Sequence, residues 1–285
     1  MTKKERLEQL ENKTLAAYYA DSLLRGAEPH VDYYIKNSKC FKLLLKSEML
    51  TDLSMRKYFK EMSVRLTDAV NWNKYQTEKA SFLQTKTFKA GILDYVVNAF
   101  WENETLVLKV FLTKALVDAL EGGGLFTEDE LKIDVGWSRE SSPAIEFLNK
   151  YGLALSKTLT GTTKNKVLAA LQMSINNGED RNQAVDRLMK TINDKVRATT
   201  IAQTEAVNAF SGGRMEVGRQ IGADRKKWRT AGDAKVSQTC RFNEAQGVVP
   251  IDFKFKDFQG NDIDAPAAHP NCRSGIQLFM PGEKV

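Results

Sequence analysis

The feature that most limits the fold of this chain is the absence of proline between Pro29 and Pro143. A proline inside a helix removes a backbone hydrogen bond and clashes with the preceding turn, so a stretch without proline permits long helices. Apolar residues recur at helical spacing in this stretch and in the segment before Pro29. They predict helices over Lys3–Gly26, Phe41–Met49, Arg56–Trp72, Ser81–Trp101 and Glu104–Leu120.

The helix predicted over Arg56–Trp72 carries the clearest apolar stripe. Its members are Tyr58, Phe59, Met62, Leu66, Ala69 and Val70. Such a stripe is typical of a helix that packs against other helices. We therefore interpret the N-terminal region as a scaffold for contacts with other proteins, not as a catalytic or cofactor-binding region.

Glycine and capping residues predict where the helices end. Gly122-Gly123-Gly124 is expected to stop a helix, because glycine loses the most backbone entropy on ordering. Thr127-Glu128-Asp129-Glu130 resembles a capping box, which predicts a new short helix. Residues Lys132–Pro143 lack a helical pattern, so we place a domain boundary near residue 135.

Helical spacing resumes over Ala144–Leu159 and again after Thr162-Thr163. Asn176-Asn177-Gly178 predicts the end of that second helix. Asp180 and Gln183 form an acidic variant of the capping box and predict the start of the next helix. The helical pattern extends to Gly212-Gly213, where we expect a kink or an end.

The character of the chain changes after Gly222. Residues 226–230 alternate as a strand does, Val248–Phe258 contains two extended pieces, and Gly275–Met280 alternates again. The predicted class is therefore mainly α, a helical body with a small α+β C-terminal unit. The predicted regions are 1–135, 136–222 and 223–285.

Composition narrows the class of protein. The chain has 285 residues, of which 42% are hydrophobic and 27% charged, as in folded proteins. A formal charge of +6 fits either contact with a polyanion or a slightly basic surface with no such role. The N-terminus lacks a signal-peptide core, and the most apolar run, Leu106–Leu120, is too short and too charged to cross a membrane. Three cysteines form no disulfide framework, which indicates a reducing compartment.

Scarce metal-ligating residues cluster near the C-terminus. Cys240, His269 and Cys272 offer two thiols and an imidazole, which suit zinc, and Asp233, a second carboxylate or water would be the fourth ligand. The alternative is that His269 and Cys272 only shape a turn around Pro270. A third hypothesis is a nucleophilic cysteine with His269 as its base.

Two further groups are candidates for a role. Thr204, Glu205 and Asn208 share one polar face of a helix and, with Trp228, are expected at an internal junction. Glu205 with Asp233 is the alternative, as an acidic metal or acid–base site. The basic residues are Arg225, Lys226, Lys227 and Arg229. They predict either salt-sensitive DNA contact, with Trp228 stacking on a base, or a solvated charged edge with Trp228 packed inward.

Three groups of residues in the last third of the chain carry a family resemblance. They are Thr200-Ile201-Ala202-Gln203-Thr204-Glu205 with Asn208-Ala209, then Trp228-Arg229-Thr230-Ala231-Gly232-Asp233-Ala234-Lys235-Val236, and finally His269-Pro270-Asn271-Cys272-Arg273. In this combination the chain resembles the phage minor head, or head morphogenesis, proteins, with SPP1-like and Mu protein F-like members. Mu-like members tend to carry Cys-x-x-Cys and Cys-Arg-Cys where this chain has Ser237-Gln238-Thr239-Cys240 and Cys272-Arg273-Ser274. The chain is therefore closer to the SPP1-like branch.

The resemblance implies a structural, non-enzymatic virion protein, made in the host cytoplasm and placed inside the capsid. It implies association with the phage portal protein, with scaffold or capsid protein as further partners, and in some members binding of double-stranded DNA without sequence specificity. Two alternatives come from other classes. One is a zinc-dependent or nuclease-like DNA-processing enzyme, which needs Glu205, Asp233 and His269 in one cleft. The other is a general DNA-binding protein.

Overall fold

The computed structural model describes residues 38–87, 95–232 and 234–283. These residues form helices α1 Ser38–Ala69, α2 Trp72–Thr85, α3 Asn98–Leu131, α4 Ser142–Asn176, α5 Arg181–Ile192, α6 Lys195–Gln220 and α7 Gln238–Ala245. The strands are β1 Arg225–Arg229, β2 Val248–Pro250, β3 Phe255–Lys256, β4 Asp262–Ile263 and β5 Gly275–Phe279. The predicted class, a mainly helical body with a small α+β C-terminal unit, is confirmed. The helix predicted over Lys3–Gly26 lies outside the described residues.

The chain divides into two compact units, each assembled from separate stretches of sequence. Unit 1 contains the described residues of Met1–Asp52, Ala115–Leu148 and Thr199–Val285. Unit 2 contains those of Leu53–Lys114 and Asn149–Ala198. The regions 1–135, 136–222 and 223–285 stay a prediction about sequence character. None of the helices in the described ranges combines the length and apolar character that crossing a bilayer requires.

The glycine runs do not end the helices, so the helix end predicted at Gly122-Gly123-Gly124 is wrong, as is an end at Gly212-Gly213. Helix α3 passes through Gly122-Gly123-Gly124, and α6 passes through Gly212-Gly213. A Cβ on Gly123 would lie 1.9 Å from the carbonyl oxygen of Phe210, and one on Gly213 would lie 1.9 Å from that of Leu120. Glycine is therefore present because the backbones of α3 and α6 touch. Its local cost of about 1 kcal/mol in a helix is offset by this packing.

Other predicted interruptions are also continuous helix. Thr127 lies within α3 and its hydroxyl donates to the carbonyl oxygen of Gly123, so it caps no new helix. Helix α4 continues past Thr162 and Thr163, whose hydroxyls both donate to the carbonyl oxygen of Leu159. These threonines satisfy their hydroxyls on the helix backbone itself, which makes them compatible with its interior.

The predicted end of α4 and the predicted start of α5 are both confirmed. Helix α4 ends at Asn176, and Gly178 follows at φ +68°. At the start of α5, Asp180 accepts from the backbone of Gln183 and the Gln183 side chain accepts from the backbone of Asp180. The predicted capping box is therefore confirmed. In unit 2 the apolar stripe of α1 is also confirmed, since Tyr58, Phe59, Met62, Leu66 and Val70 are buried.

The C-terminal part of unit 1 is built on a three-stranded antiparallel sheet in the order β2-β1-β5. Trp228 on β1 pairs with Ile276 on β5, and Lys226 pairs with both Leu278 and Val249. One face of the sheet packs into a core that includes Trp228, Phe255, Cys240 and Cys272. Helix α6 reaches this core through Met215 and through Gly218, where a Cβ would lie 2.4 Å from Leu278.

Candidate metal centre

Cys240 is placed by the first turn of α7. Ser237 is the N-cap of this helix, and its hydroxyl accepts a 3.2 Å hydrogen bond from the backbone N–H of Cys240. Serine is among the best N-cap residues because its oxygen satisfies one of the free N–H groups of the first turn. The cap turns the Cys240 side chain into the core beside the sheet, where only 2% of the residue is exposed.

His269 and Cys272 come from the loop before β5 and meet Cys240. The Cys240 sulfur lies 3.2 Å from Nε2 of His269 and 3.6 Å from the Cys272 sulfur. All three ligand atoms lie within 4.8 Å of one another. The structure therefore brings together three residues that are 29 and 32 positions apart in the sequence.

Hydrogen bonds within the cluster decide which ring nitrogen of His269 faces Cys240, and they shift the pKa of both thiols. Nδ1 of His269 lies 2.9 Å from the carbonyl oxygen of Pro270, which can only accept, so Nδ1 carries a proton and Nε2 is the ring nitrogen that faces Cys240. The hydrogen bond from Cys240 lowers the pKa of Cys272, helped by backbone N–H groups of Ala268 and Ser274. The same bond, together with burial, raises the pKa of Cys240. The hydrogen bond with Cys240 raises the pKa of His269. The cluster therefore places two thiols and an imidazole in contact, and binding of a metal ion would release their protons.

Helix α6 fixes the loop that carries His269 and Cys272. The side-chain oxygen of Asn208 accepts a 2.6 Å hydrogen bond from the backbone N–H of Ala267, and the hydroxyl of Thr204 accepts one of 3.1 Å from that of Asn271. Asn208 also donates to the carboxylate of Glu205 at 3.0 Å. The three polar residues singled out on this helix therefore meet one another or the loop, at a junction within unit 1.

The fourth proposed ligand has no described position. Asp233 lies outside the described residues, so its distance from the cluster is undefined. Among the residues that the structure does describe, the grouped ligand atoms are those of Cys240, His269 and Cys272.

Trp228 and the four basic residues alternate across β1. Trp228 is fully buried and meets the ring of Phe255 edge-on at 5.1 Å, so it packs inward. Lys226 is buried on the same face: it donates to the carbonyl oxygen of Asp264 at 2.9 Å, and burial lowers its pKa to about 8. Lys226 therefore cannot face a phosphate from this position. Arg225, Lys227 and Arg229 lie on the opposite face and are half-buried.

Arg225 is occupied by the chain itself. Its guanidinium donates to the carbonyl oxygens of Met280 and Glu283, both at 2.9 Å, and lies 5.9 Å from the ring centre of Phe279. Of the four basic residues proposed to contact DNA, Lys227 and Arg229 are the two best placed to do so.

Two residues that support the centre gave no signal in the sequence. Glu244 on α7 accepts from both the backbone N–H and the hydroxyl of Thr230, at 2.9 and 2.6 Å, and so ties α7 to the end of β1. Asn243 is fully buried and exchanges hydrogen bonds with the backbone of Lys256. These contacts join residues 14 and 13 positions apart, which helical or strand spacing does not indicate. The available signal in the sequence was two adjacent polar residues, Asn243 and Glu244, on a short helix.

With this geometry defined, comparison with protein families shows that part of the chain is similar to a phage protein family. The matching family is described as Phage Mu protein F like protein, and the match covers residues 165–277. It runs from the middle of α4 into β5 and includes the Cys240–His269–Cys272 cluster. The resemblance to this family is confirmed over this region. Searches of the curated proteins and of the solved structures each found no significant match.

Proposed function

We propose that the protein is a non-enzymatic minor head protein that docks at the portal vertex inside the capsid, after synthesis in the host cytoplasm. One observation carries this proposal. In the family-matched region, the reactive and polar side chains contact the protein itself. Cys240 and Cys272 are buried, and Asn208 accepts a hydrogen bond from the backbone of Ala267. Such a region supports a rigid module for assembly, with portal protein as the main partner and scaffold or capsid protein as further partners.

The second part of the proposal is that Cys240, His269 and Cys272 bind one zinc ion that staples α7 to the loop before β5. Zinc–sulfur bonds of about 2.3 Å at tetrahedral angles separate two sulfurs by about 3.8 Å and a sulfur from a nitrogen by about 3.6 Å. The separations of 3.6 and 3.2 Å are within a few tenths of an ångström of these values. The donor types, these two separations and the Pro270 contact of His269 fit zinc, and the third separation, between Cys272 and His269, is at most 4.8 Å. Zinc would supply a crosslink within a small core.

The enzymatic alternative needs an open cleft with an acid or base beside the cluster. Glu205 is 9% exposed and hydrogen bonded to Asn208. Cys240 and Cys272 are 2% and 0% exposed, and a nucleophilic cysteine must be reached by its substrate. His269 contacts Cys240, but burial of both thiols favours the structural role over the nucleophile hypothesis.

The DNA-binding alternative rests on Lys227 and Arg229, on the face of β1 opposite the core. Two cations at strand spacing would contribute non-specific, salt-dependent phosphate contacts. This surface is compatible with a portal-docked protein that also touches packaged DNA. It does not require DNA binding to be the main function.

The test is co-sedimentation of the purified protein with portal oligomers at moderate salt, before and after nuclease treatment. The proposal expects co-sedimentation that survives nuclease and is unchanged in a Lys227→Glu, Arg229→Glu double variant. Retention that disappears with nuclease or in the double variant would instead support the DNA-binding protein. DNA cleavage that is lost in Glu205→Ala and His269→Ala would support the enzyme.

A further inference from the structure

Unit 2 contains a cavity of about 290 Å³ between α1 and the junction of α5 with α6. Its accessible wall is mostly apolar, and Phe59 and Met189 supply the apolar side chains. Phe59 is 1% exposed, and the guanidinium of Arg197 packs on its ring, 4.9 Å from the ring centre. Pockets for small molecules usually occupy about 300–1,000 Å³, so this cavity suits one large side chain better than a cofactor.

The rim of the cavity is predominantly basic. Arg56, Lys60 and Lys195 contribute three positive charges, and Asp194 contributes one negative charge. Asp194 is engaged at the N-terminus of α6, where its carboxylate accepts a 3.1 Å hydrogen bond from the backbone N–H of Arg197. The charge offered to an approaching molecule is therefore net positive.

The apolar surface continues beyond the cavity along α1. Leu53 and Val64 are exposed and lie seven and four residues from Lys60, so the three share one stripe of the helix. An apolar pocket beside an exposed stripe, flanked by cations, is the pattern by which a groove binds an amphipathic helix with acidic flanks.

We propose that this cavity binds an acidic segment of a partner protein, with one large apolar side chain of that segment inside the cavity and carboxylates beside it facing Lys60 and its neighbours. Nucleic acid fits less well, because a hydrated phosphate gains nothing from a mostly apolar wall. The cavity is lined by residues of unit 2 alone, so binding there does not depend on zinc at the Cys240 cluster or on docking at a portal.

The test uses the full-length protein and a fluorescein-labelled synthetic helical peptide of about 15 residues, the length at which an isolated helix begins to be stable. The peptide carries one phenylalanine flanked by glutamates, and binding is followed by fluorescence anisotropy. Lys60→Glu should weaken binding about tenfold, because an attraction becomes a repulsion at the rim. The matched control is Lys150→Glu, the same change at an exposed lysine of α4 that does not line the cavity. It should leave binding within about twofold.

A second pair of measurements separates the cavity from the charges. Met189→Trp, which fills the cavity without changing its charge, and a peptide with alanine in place of phenylalanine should each weaken binding about tenfold. Equal binding to Lys60→Glu and Lys150→Glu overturns the proposal, as does equal binding of the phenylalanine and alanine peptides. Displacement of the peptide by short duplex DNA would show a general polyanion site and would also overturn it.

Discussion

The side-chain oxygen of Asn208 on α6 accepts a 2.6 Å hydrogen bond from the backbone N–H of Ala267, two residues before His269. The same side chain donates to Glu205 at 3.0 Å. One asparagine therefore joins α6 to the loop before β5. This contact explains why residues some sixty positions apart act as one structural element.

Asn208→Ala should destabilise the C-terminal part of unit 1 by about 1–3 kcal/mol, because it removes the acceptor of the Ala267 N–H and one hydrogen bond to the carboxylate of Glu205. Urea unfolding, followed by fluorescence of the four tryptophans, measures the loss. The control is Asn261→Ala, an exposed asparagine of the β3–β4 turn that bonds within that turn. Equal losses for the two variants would contradict the assigned role of Asn208.

Cys272→Ser should abolish zinc binding, since it removes a fully buried ligand from a set of three. Metal analysis of the purified wild type should give about one zinc per chain, and a chelator should lower its melting temperature. The variant should melt at one temperature with or without chelator. Absence of zinc from the wild type, with no effect of chelator, would reduce the cluster to a turn motif.

Gly213→Ala should destabilise unit 1 by about 3 kcal/mol or more, because the new Cβ would lie 1.9 Å from the carbonyl oxygen of Leu120. The matched control is Gly161→Ala in α4, where a Cβ meets nothing within 4 Å. That substitution should instead stabilise the protein by about 0.5–1 kcal/mol through helix propensity. Thermal and urea unfolding of both variants test the close packing of α3 on α6.

Stability should fall with rising pH in a way that depends on Glu48. Burial raises the pKa of this carboxyl from 4.5 to about 8. The folded state then keeps a proton that the unfolded state releases. Its contribution to stability is complete below pH 4.5 and is lost as the pH rises through about 8.

Glu48→Gln should remove this dependence. Compared with the wild type, the variant should therefore gain stability at about pH 8 relative to about pH 5. Urea unfolding across this range measures it. Glu61→Gln, the same change at a half-buried position of α1, is the control and should keep the wild-type slope. An unchanged slope in Glu48→Gln would show that another group causes the pH dependence.

The parts of the fold that depend on neighbouring residues could be predicted from the sequence. The apolar stripe from Tyr58 to Val70 and the capping box of Asp180 with Gln183 involve residues a few positions apart, so spacing alone defines them. Strand β1 could be placed because its residues alternate. The direction of Lys226 could not, since pairing with β2 and β5 decides which face of β1 enters the core.

The sequence by itself determined that the chain is mainly helical, that a small α+β unit follows, and that Cys240, His269 and Cys272 are candidates for one centre. Only the tertiary structure decided that their ligand atoms meet, because α6, α7 and β5 must pack before residues 29 and 32 positions apart come together. It also reversed the meaning of the glycines. A local rule counts only the entropy that Gly123 and Gly213 lose, whereas the folded protein gains the close contact between two helices that their missing side chains allow.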